Sequence, residues 1–409
     1  MRIGVVIPHY DDERRLRWVL NALATQTYPL ELLHVVVADD GSPQPPSLPD
    51  LPFRCDLVRQ QDGGFRAAAA RNLGAAVVMG DLLLFLDGDT IPTPEYLAAM
   101  ARAFTDVGPG MLAVGRREHA DFTGCADADV GRWVRDGVPE ARVSATPQWL
   151  REGYARTSDL RSAGEEDFRL VISAVLATDR TIFERAGGFD ATITGYGGED
   201  WELAWRCWLL GAQFRHVSDA VAWHDGPDAA DRDGDRSASR TVKDAETLAL
   251  AARITLPSAR GRGLVWAQPD IVVTVLGQHT DAQVFLTVTS LLRDSDAGVW
   301  LVDYDTVPAT LAADPRVHVG YAPRGVQDRA RFQVQVWTPL RLDGSLTTMC
   351  ETSEIEVPGV LRIRRTRRIA LGVAGPEPSG CPAWLHEVPD DGLTRNGLER
   401  LLGRWYTND

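Results

Sequence analysis

The sequence IGVVIPHYDDERRLRWVLNALATQTYPLELLHVVVADDGS, residues 3–42, predicts a strand, a helix and a second strand in succession. Residues 3–8 and 33–38 are short, largely apolar and rich in β-branched side chains, which is typical of buried strands. Between them, apolar side chains recur at helical spacing over residues 13–25, so a helix with one apolar face is expected there. This succession indicates a right-handed, parallel βαβ unit and therefore an α/β fold.

An acidic pair follows the fourth strand of this predicted sheet. Residues 55–60 predict the third strand, and LLLFL at residues 82–86 predicts the fourth, which ends at Asp87-Gly88-Asp89. Ligands bind beyond the carboxyl ends of strands in open α/β sheets. Two carboxylates one residue apart suit a divalent cation that bridges phosphate oxygens and neutralises a departing nucleoside diphosphate. Asp-x-Asp also occurs in simple turns, but its position after the strand favours a metal site.

Two other loops carry candidate donor-binding residues. Asp39 ends the second strand, where it can accept hydrogen bonds from a base or a ribose, although Asp-Gly-Ser also favours a β-turn. Asp62-Gly63-Gly64 precedes an Ala-rich helix predicted to end near residue 79, and glycines there let the backbone approach an anion. Arg66 and Arg71 follow at helical spacing, which can place one of them near a diphosphate or a base. Arg71 is the preferred candidate, and a solvated surface charge is the alternative for each.

The motif GYGGEDWE, residues 195–202, places Glu199 and Asp200 at the start of an apolar helix predicted over residues 199–210. Carboxylates at a helix start are explained by capping alone, and the helix dipole keeps them ionised. Gly198 and the glycines before it indicate close approach to a ligand or a moving loop, which capping does not require. We therefore expect Asp200 to be a general base that deprotonates an acceptor hydroxyl, with Glu199 in support.

His224 ends a strand predicted over residues 220–223. A neutral imidazole at this position would complete the metal shell that Asp89 begins. A lone histidine is more often a hydrogen-bonded polar residue, but its place after Asp200 in this architecture favours a metal ligand.

Five motifs, taken in order, resemble the large inverting family of GT-A glycosyltransferases of the family-2 type. They are VVIPHYDD, VVVADDGS, QDGGFRAAAARNLGA, LLFLDGDTIP and AGGFDATITGYGGEDWELAWR, and they cover about residues 1–226. The last motif is similar to the galactosyl- and N-acetylgalactosaminyltransferase type, which includes chondroitin-polymerase-like enzymes. The resemblance implies a GT-A catalytic domain with a Rossmann-like, mostly parallel central sheet.

The resemblance also implies a reaction and its residues. The reaction is an inverting, Mn²⁺- or Mg²⁺-dependent transfer of a Gal, GalNAc, Glc or GlcNAc type sugar from a UDP-sugar to an acceptor hydroxyl. The implied roles are donor binding for Pro8, Asp11, Asp39 and Asp87, metal binding for Asp89 and His224, and base catalysis for Asp200 with Glu199 beside the sugar.

Neither sugar nor acceptor is determined by these motifs. Ser173-Ala174-Val175-Leu176 stands where family members often carry Gly-Asn, so the donor sugar is open. The acceptor is a glycan, a lipid-linked intermediate, a peptide or a small metabolite.

Two other functions compete with sugar transfer. A sugar-phosphate nucleotidylyltransferase also combines an α/β nucleotide fold with acidic metal ligands. It needs a Gly-rich, basic phosphate loop directly after the first strand, where this chain has His9-Tyr10-Asp11-Asp12. A catalytically inactive sugar-binding scaffold would have lost Asp89 or Asp200, and both are present.

Composition narrows the choice of partners and compartment. A net charge of −14 and a pI near 5.1 argue against nucleic acid and against broad adhesion to anionic lipid. The five cysteines are scattered and form no Cys-x-x-Cys pair, which predicts reduced thiols in a cytoplasmic protein. No stretch approaches about 18 apolar residues, so no membrane span is expected.

A smaller α/β or β-rich accessory domain is predicted over residues 256–409, after a GT-A domain at residues 1–255. Polar residues 225–240 predict a mobile loop or linker. Beyond it the N-terminal strand–helix–strand pattern recurs over residues 271–275, 281–292 and 299–303. This recurrence indicates either a degenerate internal repeat or the ordinary pattern of any βαβ unit.

The end of the chain carries two further features. RIRRTRR, residues 362–368, predicts either a docking site for an acidic acceptor or, preferably, a charged edge strand that resists aggregation. Trp384, Trp405 and Tyr406 are candidates for an acceptor platform, with core packing as the preferred alternative.

Overall fold

The computed structural model describes residues 1–195, 197–226 and 236–388. The chain separates into two compact units. The first holds residues 1–208 and 212–247, and the second holds residues 209–211 and the chain from residue 248 onward. The predicted boundary between residues 255 and 256 falls inside the second unit.

The first unit is built on one sheet. Within the described residues its strands are β1 (Ile3–His9), β2 (Leu33–Asp39), β3 (Arg54–Arg59), β4 (Leu82–Leu86), β5 (Thr90–Pro92), β6 (Met111–Ala120), β7 (Val143–Ser144), β8 (Val175–Asp179) and β9 (Gln213–Asp225). Their order is β3-β2-β1-β4-β8-β6-β9-β5, with β7 beside β6. The first four run parallel, and β8 pairs antiparallel with β4 and β6. The predicted α/β class and βαβ unit are confirmed.

The helices of this unit correct the predicted loop over residues 225–240. They are α1 (Glu13–Leu23), α2 (Ala67–Val77), α3 (Tyr96–Val107), α4 (Asp127–Asp136), α5 (Gln148–Arg156), α6 (Arg180–Ala186), α7 (Glu199–Leu209) except its last residue, and α8 (Arg236–Ala251) as far as residue 247. The loop predicted over residues 225–240 is wrong at both ends, because Asp225 ends β9 and α8 begins at Arg236. The apolar residues of α8 lie toward its second half, so composition alone hides its start. Residues 227–235 lie outside the described residues.

Close packing of helix α2 against the sheet fixes the positions of the strand ends. The side chains of β2 are buried along its whole length, and those of β1 nearly so. Gly74 on α2 lies so close to Val6 on β1 that an added Cβ would collide with it, so only glycine lets the helix approach the sheet. Helix α7 is buried as predicted, and its Glu202 and Arg206 form an ion pair inside the protein.

The second unit has its own α/β arrangement. Its strands are β10 (Ile271–Val275), β11 (Ala297–Leu301), β12 (Val317–Val319), β13 (Phe332–Val336), β14 (Leu340–Leu342), β15 (Ile355–Val357), β16 (Leu361–Arg365) and β17 (Leu385–Glu387). Its helices are α9 (Pro257–Arg260), α10 (Asp281–Leu292), α11 (Arg324–Gln327), α12 (Leu346–Thr352) and α13 (Thr366–Ala370). The main sheet has the order β12-β11-β10-β13-β16-β15, and β14 pairs separately with β17.

The arginine-rich segment is not an edge strand. Its first half is β16, which is paired on one side with β13 and on the other with β15. Arg362 and Arg368 pair with Glu356 and Glu354, so neighbouring acids offset this positive charge. Trp384 packs against the core of the second unit. Trp405 and Tyr406 lie outside the described residues.

Two expectations about the chain concern its thiols and its helices. Each of the five cysteines is unpaired in the described part of the chain, where all five lie. No helix within the described ranges combines the length and the apolar character needed to cross a membrane.

Candidate active site

A cavity of about 620 Å³ opens at the carboxyl ends of β1 and β4 in the first unit. This is the edge of a parallel sheet at which α/β proteins bind ligands. Five of the predicted site residues line it: Pro8, Arg71, Asp87, Asp89 and His224. The cavity is therefore the place to examine the chemistry that the motifs predict.

Asp89 and His224 meet through strand pairing. Thr90 lies opposite His224 in the antiparallel β5–β9 pair, and the Asp225 backbone N–H donates to the Asp89 carbonyl oxygen over 3.0 Å. His224 Nδ1 lies 3.3 Å from Asp89 Oδ1. That nitrogen is buried and has no hydrogen-bond partner among the described residues. Burial opposes the charge of Asp89, but His224, Arg15 and Thr90 together outweigh burial, so the pKa of Asp89 lies below its usual value.

Asp89 and His224 suit a divalent cation whose remaining ligands come from a bound substrate. No group of three or more potential ligands occurs among the residues that the structure describes. Mg²⁺ is usually bound by one or two protein carboxylates together with substrate phosphates, so a complete protein shell is not required. The Asp89 carboxylate is the kind of ligand that Mg²⁺ and Mn²⁺ prefer, and the buried His224 nitrogen beside it offers a second donor.

Arg71 links two parts of the site. Its guanidinium donates to Asp87 over 2.8 Å and to Glu199 over 2.7 Å, and its side chain is only 4% exposed. Burial disfavours the charge, but the two carboxylates outweigh it and raise the pKa of Arg71. Arg71 thus ties the loop after β4 to the start of α7. Its predicted contact with the donor stays a prediction.

Two backbone N–H groups hold the Asp200 carboxylate. Its carboxylate accepts hydrogen bonds from Ser173 N over 3.2 Å and from Trp201 N over 2.8 Å. Burial and the neighbouring charge of Glu199 raise the pKa of Asp200 to about 7. Contrary to the expectation from the sequence, the helix start therefore does not keep this group fully ionised at neutral pH, because desolvation and Glu199 exceed the effect of the helix. Asp200 is not among the described residues that line the cavity.

A link to the cavity runs through the residues before β8. Asp87 N donates to the Ala174 carbonyl over 3.2 Å, and Ser173 N reaches Asp200. Ser173 and Ala174, which directly precede β8, therefore lie between the Asp200 carboxylate and the loop after β4. Asp87 and Asp200 thus contact neighbouring residues of one backbone segment.

Of the predicted nucleoside-binding residues, all of which the structure describes, Asp39 and Asp11 lie outside the cavity lining and Pro8 is part of it. Asp39 is fully buried, where Oδ1 accepts from Ser42 and Oδ2 lies 3.0 Å from Arg59 Nε. Asp11 N donates to Ser42 Oγ over 2.9 Å. Neither Asp39 nor Asp11 is among the described residues that line the cavity, whereas Pro8 lines it. Their contacts with a nucleoside stay predictions.

The glycine-containing loops lie next to each other. Asp62 accepts from Gly64 N over 3.0 Å, and Gly64 lines the cavity. Gly195 N donates to the Phe65 carbonyl over 3.0 Å. Gly198, which directly precedes α7, has a φ of +93°. This backbone conformation favours glycine, so a residue with a side chain would be strained at the start of the helix.

Several residues that line the cavity escaped the motif analysis. They are Tyr10, Asp12, Arg15, Asp40, Phe65 and Arg117. Asp40 adjoins Asp39, and Tyr10 adjoins the first strand, so position after a strand end could have identified both. Nothing local identifies Arg117, which reaches the cavity because β6 pairs with β9.

Comparison with known families explains this arrangement. Residues 4–124 match the model of the family described as Glycosyl transferase family 2. The chain contains a glycosyltransferase family 2 domain. Residues 165–222, which include GYGGEDWE, match the model described as N-terminal domain of galactosyltransferase. The glycosyltransferase domain therefore includes the loops that carry Asp87 and Asp89, and the second match includes Glu199 and Asp200.

Curated relatives support the same domain assignment. Chondroitin synthase of Escherichia coli is 28% identical over 59% of this chain and 37% of that protein. Hyaluronan synthase of Pasteurella multocida is 25% identical over 59% of this chain and 26% of that protein. Validoxylamine A glucosyltransferase of Streptomyces hygroscopicus subsp. jinggangensis is 31% identical over 50% of each chain. The chain spans half or less of the length of these relatives.

Removing Arg71 should destabilise the glycosyltransferase domain. Arg71→Ala leaves Glu199 and Asp87 without their shared counter-charge. We expect the free energy of unfolding to fall by about 3 kcal/mol, the low end for a broken buried ion pair, because Asp87 is 30% exposed. Urea unfolding measures the loss. Arg132→Ala, which breaks an exposed pair with Asp129, is the control and should cost less than about 1 kcal/mol. Equal losses in the two variants would contradict the linking role of Arg71.

Proposed function

We propose that this chain transfers a sugar from a UDP-sugar to an acceptor hydroxyl, with inversion at the anomeric carbon. The observation that carries the proposal is the pairing of Asp89 with the orphaned His224 nitrogen at the cavity of a glycosyltransferase family 2 domain. A cavity of about 620 Å³ is within the range of small-molecule sites. Its paired metal donors fit a reaction whose leaving group is a nucleoside diphosphate.

The donor diphosphate meets Asp89 and His224 in this proposal. These two residues would hold Mn²⁺ or Mg²⁺, which would supply positive charge to the phosphate oxygens as the diphosphate leaves C1. Arg15, which lines the same cavity, is held by Asp12 and Asp225 over 2.9 and 2.8 Å. These contacts keep a guanidinium near the metal-binding pair. Asp87, held by Arg71, is assigned to the hydroxyls of the ribose or of the donor sugar.

The nucleoside end is assigned to the aromatic and acidic rim of the cavity. Tyr10 and Phe65 line it and are each 52% exposed. Exposed aromatic rings stack on nucleobases, and base stacking is favourable for every base. Asp39 and Asp11, with Ser42 between them, support the loop against which a base would rest.

Asp200 is assigned as the general base. As the acceptor oxygen attacks C1, its proton moves to the Asp200 carboxylate and the bond from C1 to the diphosphate oxygen breaks. Hydrogen bonds from Ser173 and Trp201 fix the orientation of that carboxylate. A pKa of about 7 is close to the value at which a base is both ionised and able to accept a proton.

The sugar and acceptor are proposed only by class. We assign a sugar of the Gal, GalNAc, Glc or GlcNAc type, in keeping with the match to the galactosyltransferase model and with a relative named as a glucosyltransferase. The acceptor is a hydroxyl of a glycan, a lipid-linked intermediate, a peptide or a small metabolite. A cytoplasmic location is proposed because the cysteines are unpaired.

Loss of Asp89 should remove metal-dependent nucleotide binding. For Asp89→Ala we expect the gain in UDP affinity on adding Mn²⁺ to fall by at least about tenfold. This is the scale on which metal affinity falls when residues around a metal are removed. Calorimetric titration of UDP with and without Mn²⁺ measures this gain. Asp129→Ala, on the exposed surface of α4, should behave as the wild-type protein. Unchanged Mn²⁺ dependence in Asp89→Ala would overturn the metal assignment.

Asp200→Asn should separate binding from chemistry. We expect turnover to fall by at least about a hundredfold while UDP affinity is retained, since the amide cannot accept the proton. The assay follows UDP release from the four UDP-sugars of the proposed class. Normal turnover contradicts the base assignment. Pyrophosphate release from a nucleoside triphosphate would identify a nucleotidylyltransferase, and inactivity of folded protein with every donor would favour the scaffold.

The activity should follow the ionisation of Asp200. Because burial raises its pKa to about 7, the base is largely protonated at pH 6 and largely ionised at pH 8. We therefore expect kcat/KM at saturating metal to rise about tenfold per pH unit below pH 7 and to level off above it. A profile measured from pH 5.5 to 8.5 checks this. An unchanged rate across that interval would show that the essential base has an ordinary carboxyl pKa.

A further inference from the structure

The second unit repeats the strand order of the first. The strands β12-β11-β10-β13 run parallel, as do β3-β2-β1-β4, and the last strand of each set pairs with an antiparallel neighbour. In both units the central strand continues through a helix to the next strand, as β1-α1-β2 and as β10-α10-β11. The central strand of each unit is therefore the point at which the strand order reverses.

A second cavity lies at this reversal point. Ligands in open α/β sheets bind beyond the carboxyl ends of the strands where the order reverses. In the first unit that position is the cavity between the loops after β1 and β4. In the second unit a cavity of about 470 Å³ lies between the loops after β10 and β13. Its lining includes Gln278, His279, Thr280, Gln283, Thr338 and Pro339.

The chemistry of the second cavity differs from that of the first. Thr338 and Pro339 follow β13 where Asp87 and Asp89 follow β4, so the acidic metal ligands are missing. No Asp, Glu, Lys or Arg lines the second cavity among the described residues. Nearby, Asp303 accepts from Gly277 N over 2.7 Å, and Asp281 starts α10. These two acids would repel a diphosphate, whereas amides and hydroxyls suit an uncharged ligand.

The polar side chains of the second cavity are held in position. Gln283 is 5% exposed, and its amide donates to the Val388 carbonyl over 3.0 Å while its oxygen accepts from Thr280 N over 3.0 Å. The Thr338 hydroxyl donates to the Gly359 carbonyl over 2.8 Å and remains able to accept. A set of side chains fixed before binding loses little freedom when a ligand arrives.

We propose that the second cavity binds an uncharged carbohydrate. The Gln278 amide donates to the Asp303 carbonyl over 3.0 Å, and His279 Nε2 lies 3.0 Å from the Leu276 carbonyl oxygen. The Gln278 amide oxygen and the Thr338 hydroxyl therefore offer mainly acceptor capacity, which sugar hydroxyls can use as donors. A volume of about 470 Å³ is within the range of small-molecule sites. The proposal goes beyond sugar transfer and does not depend on it, because the binding is measured without turnover.

Saturation-transfer NMR on the full chain tests the proposal. The probes are the methyl β-glycosides of glucose, galactose, N-acetylglucosamine and N-acetylgalactosamine, with UDP as the charged comparison. We expect at least one glycoside to bind, and the double variant Gln278→Ala/Thr338→Val to weaken it about tenfold or more, since each substitution removes a hydrogen-bonding group. UDP should not displace it.

Two matched variants locate the bound sugar. Thr289→Val changes an exposed threonine of α10 that does not line the second cavity, and it should leave binding unchanged. Asp89→Ala alters the cavity of the first unit and should also leave binding unchanged. Loss of binding in Asp89→Ala, displacement by UDP, equal binding by the folded double variant, or no binding of any glycoside would each overturn the proposal.

Discussion

The ion pairs of Arg71 are the constraint on which the site depends. One guanidinium on α2 holds Asp87 after β4 and Glu199 at the start of α7. Two negative loops at one end of a sheet repel each other, and a buried cation between them offsets that repulsion. Because Arg71 is almost completely buried, water and salt screen this attraction little. The arrangement of the acidic groups is therefore determined by the packing of α2 on the sheet, which Gly74 permits.

This constraint also affects the neighbouring carboxylate. Arg71 pairs with Glu199, and the neighbouring charge of Glu199 adds to burial in raising the pKa of Asp200. The same arginine attracts Asp200 and partly opposes that rise. Two adjacent carboxylates at one helix start are thus set apart, one paired with a cation and the other poised to exchange a proton near neutral pH. Divergent environments of this kind are typical of catalytic acids and bases.

Local sequence patterns predict much of the fold and part of the site. The strand over residues 82–86 and the helix over residues 281–292 have the predicted bounds, because buried runs and capping residues are local signals. Arg117 could not be predicted, because it reaches the cavity through the pairing of β6 with β9. The position of β16 within its sheet and the raised pKa of Asp200 also depend on residues distant in sequence, which no motif reveals.

The Asp89–His224 contact has a consequence for biosynthesis. Asp89 directly precedes β5 and His224 belongs to β9, which is far away in the chain, so the two residues meet only when β9 pairs with β5. Contacts between distant segments form late, because closing a long loop costs entropy before the contact is gained. A ribosome-bound chain that lacks β9 would have strands β1 to β4 but only half of the proposed cation-binding pair. Affinity for the ion would thus appear only as the last strands of this sheet are added, and metal could stabilise the finished domain without acting on its earlier intermediates.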